Sequence, residues 1–178
     1  MKNKTTQTIV FAALLLTLAV VLKIFGIPVS LFGGLAKDIN LSPVIILYSG
    51  MVLGPVYGGL IGGATDLLVF LIRPLGGYFP LFTITNALMG ILPGLFFQRG
   101  HRNFKFVKIL LVTLLTQTVC SFVLNTLTLI YLGMPPQVAW LRATTTYIFV
   151  PVYAALIFVL TIYSLRLFRG TPLAVQNE

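Results

Sequence analysis

The stretch from residue 8 to residue 25 reads TIVFAALLLTLAVVLKIF, and Lys23 is its one charged side chain. A helix that crosses a bilayer needs roughly 20 largely apolar residues, because the hydrocarbon layer is about 30 Å thick and each helical residue rises about 1.5 Å. The run is therefore predicted to span a membrane. Further apolar runs follow it and a small-residue cleavage site does not, which is unlike a secretory signal peptide.

The chain as a whole has the same apolar character. Of its 178 residues, 58% are hydrophobic and 8% are charged. A soluble domain carries roughly 25% charged residues, so in water this chain would expose far more apolar surface than soluble monomers do. We predict an all-α integral membrane protein. It is expected to be a single domain over residues 1–178, with cytoplasmic tails at 1–7 and 169–178.

Six apolar runs, separated by short connections, are predicted to form a bundle of six transmembrane helices. They are residues 8–25, 42–53, 56–72, 80–97, 107–131 and 144–167. The second run is short and ends at Gly54-Pro55, where the proline disfavours a continuous helix. A short, interrupted helix is acceptable in a membrane where protein or a cavity covers its free backbone groups.

The basic residues predict the orientation of this bundle. Eight of them lie at the N-terminus, between the fourth run and the start of the fifth, or at and after the end of the sixth run, and four lie elsewhere. Because cytoplasmic segments carry the excess of Lys and Arg, both termini are predicted to be cytoplasmic. The net charge of +9 is interpreted as orientation charge, since nucleic-acid binding needs basic residues clustered on a soluble face.

Glycines recur every four residues along the second and third runs, at Gly50, Gly54, Gly58 and Gly62. Small residues at this spacing form a smooth ridge on a helix and let a neighbouring backbone approach closely. We therefore predict close helix packing along this ridge.

Polar side chains inside the predicted spans are candidates for function, because they are costly at membrane depth. Asp66 in the third run is expected to pair with an outer-side cation, to pin neighbouring helices, or to offer its carboxylate to a ligand. Asn86, which follows Thr83 in the fourth run, and Asn125 in the fifth each carry a donor and an acceptor. They suit a ligand with amide or heterocyclic groups, and hydrogen bonding between helices is the alternative.

Three connections on the predicted outer side are rich in Gly, Pro and aromatic residues, and such loops can cover a pocket. They are residues 26–41, 73–80 and 132–143. In the first, Lys37 and Asp38 are expected to pair with each other or to hold ligand charge. In the second, Tyr78 and Phe79 suit a lid or a stacking wall.

The third connection contains Arg142 two residues after Trp140. A guanidinium can hold a carboxylate through two parallel hydrogen bonds, and the indole can stack on a ring. The alternative is a Trp–Arg pair that anchors the chain at the membrane interface.

Several kinds of chemistry lack the residues they need. The sequence has no G-x-x-x-x-G-K-[ST] phosphate loop, so it is not predicted to hydrolyse ATP by that route. With Cys120 and His101 as its one cysteine and one histidine, it cannot form an internal disulfide or a Cys/His zinc cluster. We therefore predict that the protein is not an enzyme and has no metal or cofactor.

The segment DLLVFLIRPLGGYFPLFTITNALMGILPGLFF, residues 66–97, resembles the substrate-binding (S) components of energy-coupling factor (ECF) transporters, and it looks closest to the folate-type S proteins. The residues that match the pattern of that group are Asp66, Pro74, Gly76, Tyr78, Phe79, Pro80, Phe82 and Thr83. The later LNTLTLIYLG and WLRA segments are similar to two further family patterns, at Asn125, Thr126 and Arg142. Leu81 departs from the pattern, because folate-type members usually have Gly there, and the first helix lacks an arginine expected in many of them.

The resemblance implies a six-helix S component of the bacterial plasma membrane that binds a vitamin tightly near the outer surface, with folate as the first expectation. Pantothenate or a pyridoxine-like vitamin is the alternative ligand. The predicted substrate-binding residues are Lys37, Asp38, Asp66, Tyr78, Phe79, Thr83, Asn86, Asn125, Trp140 and Arg142. The resemblance further implies a complex with a transmembrane coupling subunit and two cytoplasmic ATPases, docked through Ala12, Ala13 and Thr17 of the first helix.

Two other functions stay open from the residues themselves. A stand-alone secondary transporter would need an ion-coupling carboxylate, for which Asp66 is the deep candidate. A structural membrane subunit without a ligand would use the glycine ridge for packing.

Overall fold

The computed structural model describes the backbone of residues 2–31, 35–74, 78–98, 105–131, 133 and 136–167. The helices are α1 (Lys2–Ile24), α2 (Ser42–Leu53), α3 (Pro55–Ile72), α4 (Pro80–Gln98), α5 (Phe106–Gln117), α6 (Asn125–Tyr131) and α7 (Pro136–Leu167). A π-helical segment, Thr118–Leu124, joins α5 to α6, so these three elements form one continuous span. The predicted helical bundle is confirmed: within the described ranges, five spans are long and apolar enough to cross a membrane, and α2 is shorter.

Some boundaries differ from those predicted. Helix α1 already begins at Lys2, within the predicted tail 1–7, whereas the tail 169–178 lies outside the described residues. Helix α7 begins at Pro136, so much of the predicted loop 132–143 is helical. Proline suits the first position of a helix because its missing N–H would have no partner there.

The connection between α1 and α2 contains a β-hairpin, which an all-α prediction does not include. Strands β1 (Ile27–Leu31) and β2 (Leu35–Ile39) pair as an antiparallel hairpin, with Val29 opposite Lys37. Helix bounds and packing in the rest of the described chain agree with an all-α bundle.

Helices α2, α3 and α4 pack against each other through the glycine ridge. A Cβ atom on Gly50 or Gly58 would overlap the carbonyl oxygen of Gly90, and one on Gly62 would overlap that of Asn86. The predicted close packing is thereby confirmed. Gly54, at φ +93°, supplies the break between α2 and α3 that allows both helices to reach α4.

Helix α2 lies in the middle of the bundle, and its residues from Val44 to Met51 are all buried. A helix of 12 residues is too short to span the hydrocarbon by itself. Neighbouring helices cover most of its length, so its middle lies against protein, and a short span is acceptable where protein covers it.

Side-chain contacts identify which helix ends lie together. Arg73 after α3 donates a hydrogen bond to the carbonyl oxygen of Ile24 at the end of α1, at 3.2 Å. At the other end of α4, the Lys108 ammonium lies 4.6 Å from the ring centre of Phe97. The C-terminal ends of α1 and α3 therefore lie together, at the opposite end of α4 from Phe97 and Lys108.

Candidate functional site

A cavity of about 180 Å³ lies between α1, α2, α4, the fifth span and α7, beside the end of the β-hairpin. Its walls are formed by Lys23, Asn40, Ser42, Pro43, Ile46, Asn86, Met89, Gln117, Ser121, Asn125, Thr146 and Tyr153. Most of these side chains carry a polar atom, although 58% of the residues in the chain are hydrophobic. Polar groups gathered inside an apolar bundle indicate a binding site for a polar molecule.

A carboxylate-centred network borders this cavity. The Asp66 Oδ1 atom accepts hydrogen bonds from Lys23 Nζ at 2.5 Å and from Asn86 Nδ2 at 2.9 Å. The other oxygen, Oδ2, accepts one from Thr83 Oγ1 at 2.7 Å. The network ties α1, α3 and α4 together, so Asp66 has the outer-side cation that was one of its expected partners.

The network extends to the start of α4. Thr83 gives its hydroxyl hydrogen to Asp66, so at the 3.0 Å contact between the hydroxyls of Thr83 and Tyr78 the tyrosine is the donor. The Tyr78 ring lies 5.1 Å from that of Phe70. Tyr78 thus supports the network, while Phe79 lies beside it with 37% of its surface exposed.

The fifth span contributes Gln117, Ser121 and Asn125 to the cavity wall, four residues apart. In a regular α-helix positions eight residues apart drift by roughly 80° around the axis, and the wider π turn offsets that drift. The Ser121 hydroxyl donates to Gln117 Oε1 at 2.6 Å. The π segment therefore keeps three polar side chains facing one space.

Two buried oxygens of the cavity wall, Asn125 Oδ1 and Ser42 Oγ, have no hydrogen-bond partner among the described residues. Leaving a buried polar atom without a partner costs about 1–3 kcal/mol, and most such atoms in proteins are paired. Both oxygens have almost no exposed surface, so they lie behind the cavity wall and do not face its open space.

Comparison with known proteins identifies the family of this chain. The family model described as "ECF transporter, substrate-specific component" matches residues 7–167. This chain belongs to that family. It is accordingly a multi-pass protein of the bacterial plasma membrane that functions in transport and not in catalysis, as predicted.

Two relatives of this S component carry the same name. The folate transporter FolT of Clostridium novyi (strain NT) is 30% identical over 115 residues. The match covers 64% of this chain and 66% of that protein, just under two thirds of its length. A crystal structure described as FolT bound with folic acid superposes with a TM-score of 0.70 at 25% identity. It covers 86% of this chain and 93% of the solved one.

The residues predicted to bind substrate in this S component fall into three groups: the cavity wall, the network beside it, and positions whose side chains are not described. Asn86 and Asn125 lie in the cavity wall, whereas Asp66, Tyr78 and Thr83 form the network beside it. The backbones of Lys37 and Asp38 lie in β2, and those of Trp140 and Arg142 lie in α7, but their side chains are outside the described residues. Their ligand contacts stay predictions.

The predicted docking face on α1 is only partly exposed. Ala13 and Thr17 are exposed, and the Thr17 hydroxyl donates to the Ala13 carbonyl oxygen at 2.9 Å. Ala12 is half-buried and packs against the core of the bundle. The outward face therefore consists of Ala13 and Thr17 together with exposed apolar residues such as Leu14 and Leu18.

Some cavity residues were not predicted as site residues. Gln117 and Ser121 stand inside the fifth apolar run, four residues apart and in line with Asn125, and this spacing is a signal that the sequence contains. Lys23 stands near the end of the first run, and no sequence pattern predicted that it would line the cavity. Asn40 and Tyr153 come together through the hydrogen bond from the tyrosine hydroxyl to the Asn40 carbonyl oxygen at 3.2 Å, which joins distant segments.

Proposed function

We propose that this S component binds folate at the outer end of the bundle and mediates its uptake. The observation that carries the proposal is the cavity with mostly polar walls, which include the amides Asn86, Gln117 and Asn125 with their hydrogen-bond acceptors. The pterin ring of folate has N–H donors along one edge, which suit such acceptors. The similarity to a FolT structure described with folic acid supports the same ligand.

The cavity favours one arrangement of folate. Pockets for drug-sized ligands usually measure about 300–1,000 Å³, so a cavity of about 180 Å³ holds only part of the molecule. The uncharged ring suits the polar cavity, while the glutamate carboxylates reach the outer mouth. There Arg142 and Lys37 are the proposed cationic partners, as a guanidinium or ammonium can neutralise a carboxylate.

Folate as the ligand is tested by identification and then by titration. Mass spectrometry of the small molecule released from the detergent-purified protein is expected to detect a folate. Titration of ligand-free protein is then expected to show tight binding of folate, with no competition from pantothenate or pyridoxine at a large excess. Release of pantothenate or pyridoxine, or their competition with folate at equal concentration, would contradict the assignment.

We further propose that uptake is driven by a transmembrane coupling subunit and two cytoplasmic ATPases. The family supports this division of labour, and the sequence has no phosphate loop of its own. In proteoliposomes, folate uptake is expected only when the coupling subunit, both ATPases and ATP are present with this chain. Concentrative uptake by this chain alone under an ion gradient would instead favour a secondary transporter.

A further inference from the structure

The orientation of the Asn86 side-chain amide follows from its hydrogen bonds. Its Nδ2 atom carries two hydrogens, and both have acceptors: Asp66 Oδ1 at 2.9 Å and the Phe82 carbonyl oxygen at 3.0 Å. The amide nitrogen is therefore fully used within the protein. The Oδ1 atom of this cavity residue is left to accept a hydrogen bond from a ligand.

A flipped Asn86 amide would be strongly disfavoured. Its oxygen would then face Asp66 Oδ1 and the Phe82 carbonyl oxygen, two acceptors with no hydrogen to share. Asp66 cannot easily turn away, because its two oxygens are also held by Lys23 and Thr83. The carboxylate therefore sets which atom of Asn86 the cavity presents.

We propose that Asp66 is a positioning residue for specificity: it holds Asn86 with its oxygen toward the cavity, so that the site selects ligands carrying an N–H donor there. The inference rests on the proposed function and deepens it. With folate as ligand, the matching donors are the 2-amino group and the N3–H of the pterin edge.

The test compares folate with two analogues, 2-desamino-2-methylfolate and 3-methylfolate, each of which lacks one of these donors. For the unaltered protein, at least one analogue is expected to bind about tenfold or more weakly than folate, because a buried acceptor loses its partner. In the double variant Lys23→Met with Asp66→Leu, the Asn86 amide loses its charged acceptor and both charges disappear together. For the analogue that the unaltered protein binds more weakly, the ratio of its dissociation constant to that of folate is then expected to fall below about threefold.

A second variant and a control make the result decisive. Asn86→Leu leaves Asp66 with Lys23 and Thr83 but removes the acceptor, so the ratio is again expected to fall. Thr85→Val removes an equally local hydrogen bond of α4, from the threonine hydroxyl to the Leu81 carbonyl oxygen at 2.8 Å. It is expected to keep the ratio of the unaltered protein.

The outcomes separate this inference from the proposed function. If Asn86→Leu, or a folded double variant, keeps the original ratio, the positioning role of Asp66 is wrong while folate binding stands. A ratio near one in the unaltered protein has the same meaning. If the unaltered protein does not bind folate, the proposed function and this inference fail together.

Discussion

Lys23 and Asp66 form an ion pair of 2.5 Å between α1 and α3, with only 21% and 15% of their side chains exposed. The pair lies next to the cavity, which Lys23 helps to line. Because the charges compensate each other, the cavity wall carries little net charge at this point. The neighbouring Asn86 Oδ1 atom can therefore bind the edge of a neutral ring.

Removal of one partner of this pair is expected to destabilise the bundle. Lys23→Met should lower the free energy of unfolding by about 1–3 kcal/mol, because it leaves the Asp66 carboxylate poorly solvated. Adding Asp66→Leu to Lys23→Met should recover part of the loss, since no lone charge then remains. Thermal unfolding of Lys23→Met, Asp66→Leu and the double variant in detergent measures the coupling, and strictly additive effects would show that the pair is energetically unimportant.

The glycine ridge is expected to position the site as well as the helices. A Cβ atom on Gly62 would overlap the backbone oxygen of Asn86, so Gly62→Ala should push α4 outward and weaken ligand binding about tenfold or more. In the matched control Gly63→Ala, the new Cβ atom lies 3.7 Å from the Ala87 Cβ, an ordinary contact. Equal affinities for these two variants would argue against the ridge as a determinant of the site.

Asn125→Leu is expected to separate stability from binding. The buried Oδ1 atom has no partner among the described residues, so its removal should leave the ligand-free protein as stable as before, or slightly more so. Affinity for folate should fall by roughly ten- to a hundredfold, because a ligand hydrogen bond is lost. Thermal unfolding without ligand and folate titration measure the two effects, and unchanged affinity would exclude Asn125 from the ligand contacts.

Arg142→Ala tests the proposed outer end of the ligand site. Loss of a guanidinium–carboxylate contact should weaken folate binding about tenfold or more. The affinity for pteroic acid, which lacks the glutamate, should fall much less, because its ring binds in the cavity and not at Arg142. An equal loss for both ligands would indicate that Arg142 acts on the protein fold rather than on the glutamate.

Ala13→Leu tests the exposed face of α1. The larger side chain should hinder docking on a coupling subunit and reduce uptake several-fold, while folate binding to the isolated chain should stay unchanged, since Ala13 is remote from the cavity residues. Val56→Leu, at a position of α3 that is 70% exposed, is the matched control. Uptake reduced equally by both substitutions would remove the special role of this face.

The sequence by itself determined the number of spans, their approximate positions and the family. Span number follows from the apolar run lengths, because the thickness of the hydrocarbon layer sets the length that a helix must have. Close packing of α2, α3 and α4 follows from the spacing of Gly50, Gly58 and Gly62, which local helical geometry converts into a ridge. Asn86 and Asn125 were identifiable because amides are rare and costly within apolar runs.

Only the tertiary structure decided which polar groups meet. Lys23 and Asp66 are 43 residues apart, and no local rule pairs them, because their contact depends on how α1 packs against α3. The inward direction of Gln117 and Ser121 depends on a π turn, and the inward direction of Ala12 depends on the rotation of α1 about its axis. Helix rotation and packing are set by many weak contacts summed over the bundle, whereas span length is set by the thickness of the hydrocarbon layer alone.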